Sequence, residues 1–192
     1  CGFDPTGGDK AVPPSWVYTR FLRKLMRHIG EVEQVFERLV EEISQELDDF
    51  GEVLAIDGKA IESRARGKKG GNKSPDGRRD VDADFGKKTY RGKREDGTIW
   101  EKVVSWFGYR LHLVVDATYE LPVGFEVTRA SRSEMREGPQ VLEKIDKRTP
   151  EVLERCKYLI GDKGYDDGKF MADLWDEYEI KPVIDIRDMW RD

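Results

Sequence analysis

Two short apolar runs, each stopping at an aspartate, set the tightest limit on how this chain can fold. Val53-Leu54-Ala55-Ile56 ends at Asp57-Gly58, and Tyr158-Leu159-Ile160-Gly161 ends at Asp162-Lys163-Gly164. An unbroken apolar run of this length is the pattern of a strand buried on both faces. In a sheet with helical crossovers, ligands gather beyond the carboxyl ends of the strands. Asp57 and Asp162, 105 positions apart, are therefore expected to converge there if their strands are adjacent and parallel. Convergent carboxylates repel each other unless a cation lies between them. With no His or Cys nearby in sequence, the donors are all oxygen, which favours Mg2+ or Mn2+ over zinc. A pair of such ions can activate a nucleophile and steady a leaving oxygen in an in-line phosphoryl displacement. A lone aspartate at a strand end is more often a turn or helix cap, and that reading is kept for Asp116, Asp166 and Asp167.

The other segments supply a frame for these strands. After Pro13-Pro14 and Ser15, the residues Tyr18, Leu22, Leu25 and Ile29 recur at helical spacing up to Gly30, and Val32, Val35, Phe36, Leu39, Ile43 and Leu47 repeat the period from 31 to 48. The two stretches predict a packed helical hairpin, read as a structural subdomain with DNA contact as the rival reading. Trp106–Val115 and Leu121–Thr128 flank a turn and predict a β-hairpin. Glu134–Lys147 and Asp167–Tyr178 predict helices, and Pro182–Ile186 predicts a last strand. The order is strand, strand, strand, helix, strand, helix, strand. It implies an α/β (α+β) mixed sheet in which three antiparallel strands precede two parallel ones reached by right-handed crossovers. The expected domains are a helical segment over 1–50 and a catalytic core over 51–192, with a basic insertion at about 62–104.

Charge is distributed unevenly. The chain of 192 residues carries a net charge of -5, yet residues 58–94 hold thirteen basic against five acidic side chains. This stretch begins directly after Asp57 and predicts either phosphate contacts beside the acidic site or a solvated loop. Overall acidity is no obstacle, because the local field governs an encounter with a polyanion. With 38% apolar residues the chain can build a core, and no apolar run is long enough to span a membrane. Two cysteines and two histidines are too few for a disulfide framework or a His-rich metal centre.

Several segments together resemble bacterial insertion-sequence transposases of the DDE class. They are Ala55-Ile56-Asp57-Gly58-Lys59, Trp106 to His112, Leu121-Pro122-Val123 with Thr128-Arg129-Ala130, and Gly161-Asp162-Lys163-Gly164-Tyr165-Asp166, in that order. Asp82 to Lys87 and Pro13 to His28 are similar to the portions that lead into that core. The resemblance implies a ribonuclease-H-like fold and catalysis by two Asp and one Glu holding divalent metal, Mg2+ or Mn2+. Asp57 matches the first acid and Asp162 the second. The third acid of the family lies on a helix beyond the strand that is here Pro182–Ile186. No match to it is present, so a C-terminally truncated copy is expected.

Further expectations follow from the same resemblance. Glu134 is a candidate auxiliary acid at the rim, with helix capping as the alternative. Lys59, Arg110, His112 and Lys163 are candidate DNA contacts, with structural roles open for Arg110 and His112. The partners implied are double-stranded DNA, as terminal inverted repeats and target, and further copies of the chain as a dimer or higher oligomer. The setting implied is a bacterial cytoplasm, at the nucleoid when DNA is bound. Two rival functions are a DNA-binding transposase remnant without activity and a haloacid-dehalogenase-type phosphatase. The latter is suggested by Ile160-Gly161-Asp162 with Asp166, but it needs an acid where Lys59 stands.

Overall fold

The structure is a computed structural model, and it describes residues 13–64 and 80–186. The described residues fall into two compact units divided between Glu42 and Ile43.

The first unit holds α1 (Ser15–Arg27) and most of α2 (Ile29–Glu46). The break between them is His28, not Gly30, which lies inside α2. One residue is too short for the return of an antiparallel helix pair, which takes about 2–5. No residue of α1 is buried, and Trp16, Phe21, Leu22 and Met26 are exposed. The packed hairpin expected from the two helical periods is therefore absent.

The second unit is built on a six-stranded mixed sheet. Its strands are β1 (Val53–Glu62), β2 (Asp84–Lys93), β3 (Ile99–Asp116), β4 (Pro122–Arg129), β5 (Tyr158–Gly161) and β6 (Lys181–Ile184). The order is β2-β3-β1-β5-β6, with β4 also paired to β3. β3 runs antiparallel to β1, β2 and β4, while β5 is parallel to β1 and β6 parallel to β5. The three antiparallel and two parallel strands expected from the sequence are present, and the arrangement is consistent with a ribonuclease-H-like core. β2 is an addition. It arises inside the basic stretch, where its exposed, lysine-rich residues hide the strand pattern. Residues 65–79, the rest of that stretch, lie outside the described residues.

Helices α3 (Glu134–Arg148), α4 (Pro150–Arg155) and α5 (Gly168–Tyr178) complete the unit. α3 covers the sheet face that carries Leu54, Ile56, Val114 and Gly124. A Cβ at Gly124 would strike the Ile145 side chain, so the missing side chain lets the helix sit close. Val141, Leu142 and Ile145 are buried on α3, and Phe170 and Leu174 on α5. α5 begins where the Asp167 carboxylate accepts the Phe170 N–H at 2.9 Å. Asp116 is a fully buried turn residue that accepts N–H groups of Gly51, Thr118 and Tyr119 at 2.7–2.9 Å.

Candidate active site

The parallel pairing of β1 with β5 ends at Ile56 opposite Gly161. Asp57 is the next residue of β1 and Asp162 the first residue past β5, so they follow directly from neighbouring strands about 4.8 Å apart. Beyond this point β1 continues to Glu62 against β3, so Asp57 lies within its strand and not at its end. Both aspartates are exposed. Each ties one carboxylate oxygen to backbone: Asp57 Oδ1 accepts the Gly58 N–H at 2.7 Å, and Asp162 Oδ1 accepts the Gly164 N–H at 2.8 Å. The second bond caps the 3-10 turn Lys163–Tyr165, so Asp162 is also a capping residue. Its other oxygen, Oδ2, faces Lys88 Nζ at 3.8 Å.

Glu134 completes the acidic group from a third element. It is the first residue of α3, and its side chain turns inward over two glycines. A Cβ at Gly58 would lie 2.6 Å from Glu134 Oε1. A Cβ at Gly164 would have both Glu134 Oε2 and Asp162 Oδ1 within 3.0 Å, so these two carboxylates flank one point in space. Glycine at 58 and 164 is what lets the glutamate enter. Ser133, at the N-cap, makes no side-chain cap bond, and Glu134 is held instead by Arg110 Nη1 at 2.9 Å. Burial raises the Glu134 pKa, Arg110 opposes the shift, and the charges of Asp162 and Asp57 add to it.

Arg110 and His112 share the β3 face beneath α3. Arg110 lies over the Trp106 ring, 5.3 Å from its centroid, and its Nε has no hydrogen-bond partner. His112 is fully buried, with Nε2 3.0 Å from Thr128 Oγ1 and Nδ1 unpartnered. Burial and the neighbouring Arg110 push its pKa down to about 4. Neither residue presents its side chain at the surface: Arg110 is turned to Glu134 and His112 to Thr128. Lys59 and Lys163 are both exposed. Tyr165 is buried between Gly138 and Gly161, and its hydroxyl has no hydrogen-bond partner.

Two residues near the acids escape a reading of the sequence. Lys88 sits in the basic stretch, where no alternation marks a strand. Tyr165 is marked only by its place three residues after Asp162.

Residues 48–191 match the family described as Transposase DDE domain. The chain belongs to that family. No curated protein and no solved structure matches the chain. Members of the transposase family act on DNA as nucleases and strand transferases and generally use divalent metal ions. Among the described residues, no helix is long and apolar enough to cross a membrane.

The acids can be tested against such an ion. Among the described residues, no group of three or more His, Cys, Asp or Glu side chains is arranged to hold a metal. Mg2+, however, commonly takes only one or two protein carboxylates and keeps several waters. Asp57 and Asp162, exposed and side by side with oxygen donors only, fit that requirement, whereas Glu134 is engaged by Arg110.

Proposed function

We propose that this transposase domain hydrolyses DNA phosphodiesters and joins the freed 3' end to target DNA through Asp57 and Asp162. The observation that carries the reading is their placement one residue past the last β1–β5 pair. Asp57 and Asp162 would hold Mg2+ or Mn2+, which when bound supplies an acidified water and charge neutralisation at the attacking and leaving oxygens.

The chain's own residues prepare the site. The Gly58 and Gly164 N–H groups each orient one carboxylate oxygen of these aspartates. Lys88, close to Asp162, offsets the clustered negative charge and lies where a phosphate would approach. Glu134 is the auxiliary acid at the rim, fixed by Arg110. Lys59 and Lys163 are surface cations flanking the acids. Because both steps place charge on the same kinds of oxygen, one site serves both, without a covalent enzyme intermediate. A remnant that binds DNA without cutting is the competing reading, favoured by the lack, among the described residues, of three His, Cys, Asp or Glu side chains arranged to hold a metal.

The test is Mn2+ binding by calorimetry together with Mn2+-dependent nicking of supercoiled plasmid. Asp57→Asn and Asp162→Asn should each abolish tight Mn2+ binding and lower nicking by about 1000-fold, corresponding to about 4 kcal/mol of transition-state stabilisation. Variants that bind Mn2+ and nick DNA as the parent does would overturn the assignment.

A further inference from the structure

The extra hairpin beside the acids has two unlike faces. Among the described residues, Ile99–Trp106 of β3 have β2 as their one strand partner, and no residue from Lys87 to Ser105 is buried. This part of β2 and β3 is an arm with both faces in solvent. Paired residues of an antiparallel ladder share a face. One face therefore carries Lys88 with Val104, Tyr90 with Lys102, and Gly92 with Trp100. The other carries Thr89 with Val103, Arg91 with Glu101, and Lys93 with Ile99.

The first face holds two cations and two aromatic rings and no acid. Trp100 lies across Gly92, where a Cβ would come within 2.5 Å of the indole Nε1, and it remains 37% exposed. Tyr90, on the diagonal from it, is 46% exposed. This is also the face of Trp106 and Arg110, and its Lys88 reaches Asp162. It thus runs from the acids outward along the arm. On the other face Arg91 is spent on Glu101 at 2.6 Å.

Exposed aromatic rings beside two lysines suit a ligand that offers both flat π-faces and phosphates. A duplex hides its base faces in the stack and would use only the lysines, whereas an unpaired strand uses both. We infer that the Lys88–Tyr90–Trp100–Lys102 face binds unpaired DNA and leads its backbone toward Asp57 and Asp162. The inference rests on the proposed function for the destination of the strand, but strand binding itself needs no metal.

Fluorescence anisotropy in EDTA with labelled 20-nucleotide single-stranded and duplex DNA, on the full chain, provides the test. The chain should bind the single strand more tightly than the duplex. Tyr90→Ala and Trp100→Ala should each weaken single-strand binding about 5- to 100-fold, the range for one lost base stack, and leave duplex binding unchanged. Trp100→Phe, which keeps a ring over Gly92, should bind nearly as the parent does, and this separates lost stacking from a melted arm. Lys102→Ala should lower the salt slope of single-strand binding by about 0.7. Equal affinity for the two DNA forms, equal losses on both, or no loss with Tyr90→Ala would overturn the inference. Selective single-strand binding without nicking would support the arm and reject the proposed function, and nicking without selective binding would do the reverse.

Discussion

β3 passes through two environments along one strand, and the difference shows what pairing alone can and cannot do. From Tyr109 to Asp116 it lies between β1 and β4, and every second residue is buried beneath α3: Arg110, His112, Val114 and Asp116. From Ile99 to Ser105 it has β2 for a partner and no covering layer, and every residue is exposed. Backbone hydrogen bonds are made in both halves. The first half removes most of its apolar area from water, which is the term that stabilises a fold. The second half gains little from packing and keeps its side chains available to a ligand. In the covered half a neighbour offsets the cost of a buried charge, as Glu134 does for Arg110.

The two ion pairs of β3 give the sharpest contrast. Arg110–Glu134 is nearly closed to solvent, whereas Arg91–Glu101 on the arm is open. Arg110→Met should destabilise the fold by about 3–5 kcal/mol, since it leaves a buried carboxylate without its partner. Arg91→Met should cost under about 1 kcal/mol. Urea unfolding at neutral pH measures both. The Arg110→Met deficit should shrink as the pH falls, because the stranded Glu134 carboxyl then takes up a proton, and Arg110→Met with Glu134→Gln should recover part of the loss. Equal effects at the two pairs would mean that α3 does not shield the site.

The same contrast explains what could be read from the sequence. β1 and β5 were legible because each carries an unbroken apolar run, although burial on both faces is not what the run reports: Leu54, Ile56 and Leu159 are buried, whereas Tyr158 and Ile160 are exposed. The hairpin of β3 and β4 was legible because its residues are aromatic and β-branched. The adjacency of Asp57 and Asp162 followed from those strands. β2 was not legible, because a strand with two wet faces is under no pressure to alternate, and lysine and arginine there resemble a loop. The continuation of β1 past Asp57 was hidden likewise, since Gly58 and Lys59 read as a turn. The inward course of Glu134 depends on Gly58 and Gly164, which lie on other elements, and no local pattern at Glu134 reports them. The missing helical pair fails for another reason: a helical period fixes which side is apolar but not what covers it.

A pH scan sharpens the covered half further. Above about pH 6.5, the ordinary His value, His112 is neutral in both states and titration contributes nothing to the slope. Below that value the unfolded chain takes up a proton that the folded one refuses until about pH 4. Stability should therefore fall as the pH drops through this window, by on the order of 3 kcal/mol in total. The measurement is the difference between the parent and His112→Gln, which keeps a donor toward Thr128 but cannot titrate. Parallel stability curves for the two proteins across pH 4–6.5 would show that His112 is not held neutral by its surroundings.

The smallest effect expected concerns two valines on the same strand. Val114 is fully buried and Val103 is 56% exposed. Val114→Ala removes two methyl groups from a packed interior and should cost about 2 kcal/mol, from lost transfer energy and the cavity left behind. Val103→Ala removes the same atoms from a surface that water already reaches, and should fall within about 0.5 kcal/mol. The chemistry of the two substitutions is identical and the backbone is β-sheet at both sites. The remaining difference isolates the covering layer. If Val103→Ala were as costly as Val114→Ala, something would have to cover the arm in solution, and its aromatic face would no longer be free to meet a DNA strand.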